Sequence, residues 1–391
     1  MISLARYAAL LERPELRRTI IVSAIGRLPI GILGLAILLT VRASSDSFGV
    51  AGAVSACYVA GLAVMAPVLG RAIDRSGPAR MLLACACVFP AALVAMVSAL
   101  RLGAPQWTAF PLAALAGATF PPITVCLRTF MRRLLHEESQ LAAGYSLESV
   151  LIETIFIVGP LLVALFVAYL SAAAAVLFAA ACGLAGTLLF LRTPAIAGWR
   201  VEQRKTATLT GPLSARGFAP LLTVVLAYSG AFGLVEIGIT AFAAEIGKPA
   251  LAGVILGLMS AGSAAGGLAY GSRSWRLPLP RQFALMLLLM GLGISALGFI
   301  ANIAVFIAVS IVAGIVMAPA LIMQSMLVAG TAPSEFATEA FTWSASCLLT
   351  GIGLGLALGG FILEHAGSAA VLVSGGLVAA GAAALALATL R

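Results

Sequence analysis

The chain has 391 residues, of which 62% are hydrophobic and only 9% charged, and its formal net charge is +9. A soluble domain carries roughly a quarter charged residues, so composition excludes one. The positive charge has to be read by its location along the chain and not as a nucleic-acid footprint. The long apolar runs lack period-two alternation, which excludes a membrane β-barrel. What remains is a polytopic all-α membrane protein, because in lipid only helices and closed barrels satisfy their own backbone groups.

A membrane-spanning helix needs about 20 apolar residues. Twelve such spans are predicted, at about 19–41, 48–70, 79–100, 107–131, 140–168, 171–191, 218–244, 249–271, 281–300, 302–330, 335–362 and 367–389. The first run is too long for the apolar part of a cleaved signal peptide, and no A-x-A site follows it. The longest hydrophilic gap, 193–217, holds Arg200, Glu202, Arg204, Lys205 and Arg216 together with Gly211-Pro212. It divides the chain into a six-span bundle (1–192), a linker (193–217) and a second six-span bundle (218–391).

Basic residues fall on alternate loops. Arg6, Arg13, Arg17 and Arg18 precede the first span. Arg71, Arg75 and Arg80 follow the second, Arg132 and Arg133 the fourth, and Arg273, Arg276 and Arg281 the eighth, with a further group in the linker. Only Arg42, Arg101 and Lys248 lie on the other side. By the positive-inside rule both termini are expected in the cytoplasm.

The charged stretch Gly70-Arg71-Ala72-Ile73-Asp74-Arg75-Ser76-Gly77-Pro78-Ala79-Arg80 separates spans 2 and 3. It resembles the G-x-x-x-D-R-x-G-x-x-R loop of major facilitator superfamily transporters, matching at Gly70, Asp74, Arg75, Gly77 and Arg80. The family's leucine-like third position is Ala72 here. The second half carries a degraded copy: when Gly271 is placed on Gly70, Arg276 and Arg281 fall on Arg75 and Arg80. In the same frame Trp275 replaces Asp74 and Pro278 replaces Gly77. Pro122 and Pro319 correspond in the same way. The resemblance implies two pseudo-symmetric six-helix bundles working by alternating access, with cargo bound between them near the midplane.

Ionisable groups inside spans are costly, by about 2.5–3.5 kcal/mol on insertion scales, and are therefore functional candidates. They are Arg27 in span 1, Arg128 in span 4, Glu148 and Glu153 in span 5, and Glu236 in span 7. Arg27 and Glu148 lie ~12 Å from the cytoplasmic end and Glu153 ~20 Å, at 1.5 Å per residue. The two glutamates are about 140° apart around their helix, so they need not share a task. Either could pair with Arg27 or Arg128. A carboxylate caught between burial and a neighbouring arginine can exchange a proton near neutral pH; a static buried ion pair is the plainer alternative. Glu236 has no evident basic partner in its half and is read as a substrate or proton group.

The resemblance also places the 2–3 loop against the cytoplasmic end of span 11 when that side is shut. Ser334, followed by Glu335 and Glu339, reads as a helix N-terminus. Asp74 is thus expected to face the positive end of that helix. Arg75 or Arg80 is expected to meet Glu335 or Glu339, and together these residues would form a conformational latch.

The six cysteines all lie in apolar runs, and Cys85-Ala86-Cys87 lacks metal-site spacing. With His136 and His365 as the only histidines, no metal centre or other cofactor is expected. No phosphate-binding G-x-x-x-x-G-K-[ST] loop is present, which argues against a nucleotide-driven pump. Gly159-Pro160 is similar to the Gly-Pro element of drug/proton antiporters. The further glycines of that motif are absent, and Ala113 stands where those antiporters have an arginine. The run Gly262 to Gly271 looks like that of bacterial efflux permeases. The resemblance therefore implies a monomeric transporter of the bacterial inner membrane that exports a small drug- or sugar-like molecule in exchange for protons. Uptake by symport, and more remotely a membrane-embedded enzyme or lipid-handling protein, are the alternatives. If the orientation is right, a Thr206→Cys variant in intact cells reacts with membrane-permeant thiol reagents and is silent to impermeant ones; labelling from outside reverses the topology.

Overall fold

The computed structural model describes residues 4–45, 48–199, 201, 211–248, 251–273 and 275–390. Span 1 is Pro14–Ser45, span 2 Phe48–Ser76, span 3 Pro78–Arg101, span 5 Glu138–Tyr169 and span 6 Ala172–Leu191. In the second half span 7 is Phe218–Glu245, span 8 Leu251–Gly271 and span 9 Leu279–Leu297. Spans 4 and 10 are each broken in two, Ala109–Ala118 with Ile123–Leu134, and Ile303–Gly314 with Met317–Thr331. The last helix, Ala337–Thr389, is 53 residues long. That is ~80 Å at 1.5 Å per residue, more than twice the ~30 Å of a hydrocarbon core. It crosses twice, as spans 11 and 12, with the reversal at Gly367, whose φ of 77° is open to a residue without Cβ. The expected gap between spans 11 and 12 is therefore a corner and not a loop. An even number of crossings returns the chain to the end from which it began, which is also the end that carries most of its arginines.

Both breaks follow from proline. A proline cannot donate to the carbonyl four residues before it. Pro122 leaves Ala118 without a partner, and the first half of span 4 ends there. Pro319 leaves the carbonyl of Ile315, at the break in span 10. That carbonyl turns towards Gly266 of span 8, where a Cβ would collide with it.

The repeat that the sequence shows in its loops recurs in the packing. In the first bundle Gly61 sits on the carbonyl of Ala114, Gly117 on that of Tyr58, and Gly159 on Gly31. In the second, Gly262 sits on the carbonyl of Ile311, Gly314 on that of Met259, and Gly355 on Gly230. Spans 2–4 and 8–10, and spans 1–5 and 7–11, thus make the same close approaches. In lipid such contacts supply association that the hydrophobic effect cannot.

The linker is partly folded. Pro194–Ala197 forms a helical turn, the Arg133 guanidinium lies 4.5 Å above the Trp199 ring, and Gly211–Ser214 forms a second turn. Thr206 and its neighbours lie outside the described residues.

A valine at Gly262 has to displace the Ile311 backbone, at a cost of about 1–3 kcal/mol for overpacking. Gly262→Val is therefore expected to lower the melting temperature in detergent well below that of Gly253→Val, where nothing lies within 4 Å. Equal melting temperatures would refute the packing assignment.

Candidate functional site

At the basic end the two bundles meet along two seams. The first joins spans 2 and 11. Asp74 is 5% exposed, and its carboxylate accepts hydrogen bonds from the backbone N–H groups of Thr338 (3.1 Å) and Glu339 (2.7 Å). These are two of the first-turn donors that a helix cannot satisfy internally, so the acid of one bundle caps a helix of the other. Gly70, one turn earlier, lets the helices close up: a Cβ there would lie 2.9 Å from the Glu339 Cα. Gly77, with φ 81°, ends span 2 and Pro78 begins span 3.

Glu339 is fully buried, and its Oε1 accepts from Arg71 Nε at 2.9 Å. Arg75 and Arg80, the expected partners, are exposed. The reason is helical phase: Arg71 is three residues before Asp74 and close to its face, whereas Arg75 is turned about 100° away. Glu335 precedes the helix, in the short turn Ser334–Phe336.

The second seam joins spans 5 and 8 on the opposite side of the pseudo-symmetry axis, where the sequence has lost its acid. There Ser146 donates to the carbonyl of Gly267 at 2.6 Å. Tyr7, from the N-terminal helix Leu4–Glu12, donates to the carbonyl of Leu268 at 2.6 Å and lies 3.0 Å from the Ser146 hydroxyl. Between the seams Arg132 donates to the Ala332 carbonyl at 2.7 Å. Ser346 of span 11 donates to the Ala63 carbonyl of span 2 at 2.6 Å.

Further in, the charged candidates separate into two groups. Glu148 receives both arginines. Arg27 Nη2 donates to its Oε1, while Arg128 donates to Oε2 through Nε (3.0 Å) and Nη2 (2.8 Å). Arg27 and Glu148 have side-chain exposures of 0% and 1%, and Arg128 of 20%. The Arg27 Nε and Nη1 have no hydrogen-bond partner among the described residues. An unsatisfied buried donor costs about 1–3 kcal/mol, and more when charged.

Glu153 faces elsewhere, as its phase requires. Its Oε1 accepts from the Ser263 hydroxyl of span 8 at 2.7 Å. That hydroxyl accepts from the Ala318 N–H at 3.0 Å, in the first turn of the second half of span 10. A carboxylate of one bundle is thus connected, through one hydroxyl, to the positive end of a broken helix in the other. Glu236 is exposed on span 7, and none of the described ion pairs includes it. The wall facing the arginines is neutral: Tyr228 donates to Gln324, and Gln324 Nε2 donates to Ser344 at 2.7 Å.

Tyr7, Ser146, Ser263, Gln324 and Arg71 are not candidates on sequence grounds. Hydroxyls and amides are affordable in a span and carry no signal of their own. The proline in span 10 is the one clue that something must meet the freed helix end near Ser263.

Two helical bundles joined by polar seams at one end, with broken helices and charged groups inside, form the architecture of a membrane carrier. A family model described as the Major Facilitator Superfamily matches residues 19–244, more than half of the chain, and the chain belongs to that family. No curated protein matches the sequence. Among solved structures, the human organic anion transporter MFSD10 is 18% identical, with 96% of this chain and 100% of that one covered at a TM-score of 0.75. A bacterial homologue of the iron transporter ferroportin, in its outward-facing state, is 14% identical over 95% and 98%, with a TM-score of 0.78. The E. coli fucose:proton symporter FucP is 14% identical over 97% and 98%, with a TM-score of 0.74.

Removing one member of a buried ion pair costs about 3–5 kcal/mol, because the other charge is left uncompensated. Glu148→Gln strands two arginines, whereas Arg27→Gln leaves the Glu148–Arg128 pair intact. Thermal unfolding in detergent is expected to rank Glu148→Gln as the less stable of the two; the reverse order would contradict the shared-carboxylate geometry.

Proposed function

We propose that the protein is a secondary active transporter that exports a small organic molecule from a bacterial cytoplasm in exchange for protons, by alternating access. The three structural neighbours carry names with three different cargoes, so the fold selects none of them and the reading rests on this chain's own residues. The observation that carries it is the Glu153–Ser263–Ala318 connection. It joins the two bundles through a titratable group at a break in a span. When Glu153 is ionised it accepts a charge-assisted bond from Ser263; when it is protonated that bond loses its charge assistance and the link to the opposite bundle weakens. Proton binding and bundle separation are thereby coupled at one atom.

On this reading the basic end faces the cytoplasm, as the positive-inside rule requires, and the seams are the closed inner gate. Asp74 on the span-11 N-terminus and Arg71 on Glu339 form only when the gate is shut. They therefore bias an equilibrium and do not add to the stability of either bundle. Charge at a helix terminus contributes about 0.3–1 kcal/mol, and up to ~2 when partly buried, enough to move such an equilibrium severalfold. Glu236 is a second proton or substrate candidate, reached from span 7.

Two expectations follow for a reporter cysteine at Thr129, a fully buried residue 3.5 Å from Thr338 across the gate, with the native cysteines replaced. Asp74→Asn should raise its labelling rate from the basic side with expression retained; an unchanged rate would leave the loop as a topology signal. Labelling should depend on pH in the parent and lose that dependence in Glu153→Gln. If the pH dependence survives, Glu153 is not the coupling group. Vesicles of defined orientation give the direction: antiport export loads inverted vesicles with an acidic lumen, and symport requires the opposite gradient.

A further inference from the structure

We infer that the cargo is a small organic anion and that Arg27, together with Arg128, is the group that binds its carboxylate. This rests on the carrier reading above and specifies its substrate class.

The first observation is a charge count. Two guanidinium groups share one carboxylate, so the Arg27–Glu148–Arg128 cluster holds an uncompensated positive charge deep among the spans. A pair that merely fixed helix register would need only one arginine. The positive-inside rule explains basic residues at the membrane surface, but Arg27 is fully buried.

The second is the pattern of bonds. Glu148 engages Arg128 along one edge of its guanidinium and takes a single nitrogen of Arg27. The Nε and Nη1 of Arg27 are buried and without a partner among the described residues. Guanidinium N–H groups can only donate, and what completes them must be an acceptor. The polar groups on the facing wall, Tyr228 and Gln324, are already bonded to one another and to Ser344. They are neutral groups that can hydrogen-bond a cargo without competing for the arginines as an acid would.

The third is a route. At the basic end a cleft of about 820 Å³ opens between the two bundles, lined among others by Arg132, Arg133, His136, Glu138 and Ser334, its two arginines outnumbering its one acid. Its volume is within the range of small-molecule sites. Arg128 lies four residues before Arg132 on the same helix, on the same face and ~6 Å deeper. Positive charge thus continues inward from the cleft through Arg128, part-exposed, to Arg27, fully enclosed. Such an alignment concentrates anions from the side that the cleft faces. Glu148 holds the arginines in the closed state, and an incoming carboxylate would occupy the free edge of Arg27 once the gate parts.

The test uses the purified full-length chain in detergent at constant ionic strength. The probes are benzoate, succinate and phenylacetate, each paired with its amide, with benzylamine as the cation. At least one carboxylate should raise the melting temperature in a saturable way while its amide and the amine do not. Arg27→Lys, which keeps the charge but has no second edge once it pairs with Glu148, should bind more weakly than the parent. Arg27→Gln, which leaves the Glu148–Arg128 pair intact, should weaken binding roughly tenfold or more. Stabilisation by none of the carboxylates, equal stabilisation by amides or by the amine, or unchanged affinity in Arg27→Gln would each overturn the assignment. The Thr129 reporter separates the two levels. If it alternates with pH while no carboxylate binds, the anion class falls and the carrier stands; if it never changes, the carrier reading falls as well.

Discussion

The carboxylate of Asp74 against the first N–H groups of span 11 is the contact around which the junction of the two bundles is built. A transmembrane helix satisfies every backbone group except those at its ends, and those ends must find water, headgroups or a partner. Here the partner is an acid from the other bundle, buried to 5% exposure and backed by a glycine that brings the two helices into contact. Glu339, in the same turn, is then enclosed and needs the neighbouring Arg71. One capping interaction thereby determines the spacing of spans 2 and 11, the burial of a second acid and the choice of arginine that answers it.

The two halves repeat in shape but not in charge. Their close glycine contacts correspond pair by pair, so the backbone of each bundle is nearly a copy of the other. When spans 5 and 11 are aligned through Gly159 and Gly355, Glu148 falls on Ser344. The first bundle has concentrated the ionic groups, while the second presents hydroxyls, an amide and the end of a broken helix. Ionic groups and neutral hydrogen-bonding groups thus lie on opposite bundles.

Much of this was legible in the chain. Span positions, the two-bundle division and the family resemblance follow from apolar run lengths and from the fixed frame around Asp74; the family match bears out the resemblance, and the all-helical fold bears out the fold class. The 140° between Glu148 and Glu153 already separates their surroundings. What the chain does not display is which side chain meets which across a bundle interface. Periodicity places Arg71, Arg75 and Arg80 within one loop, but only the docked position of span 11 selects Arg71. Nor does composition distinguish Tyr7 from any other aromatic residue in a short amphipathic segment, because its partner carbonyl at Leu268 is brought near by the tertiary fold alone.

Tyr7 carries one last implication. The seam it closes is the one whose repeat has Trp275 in place of an acid, and it is supplied by a residue outside the twelve-span repeat. A protein assembled from two copies of the second bundle would therefore have neither the Asp74 cap nor the Tyr7 contact at either seam. Two copies of the first bundle would place an acid at both. The short helix ahead of span 1 thus supplies, from outside the repeat, a polar contact at the seam whose own loop carries no acid.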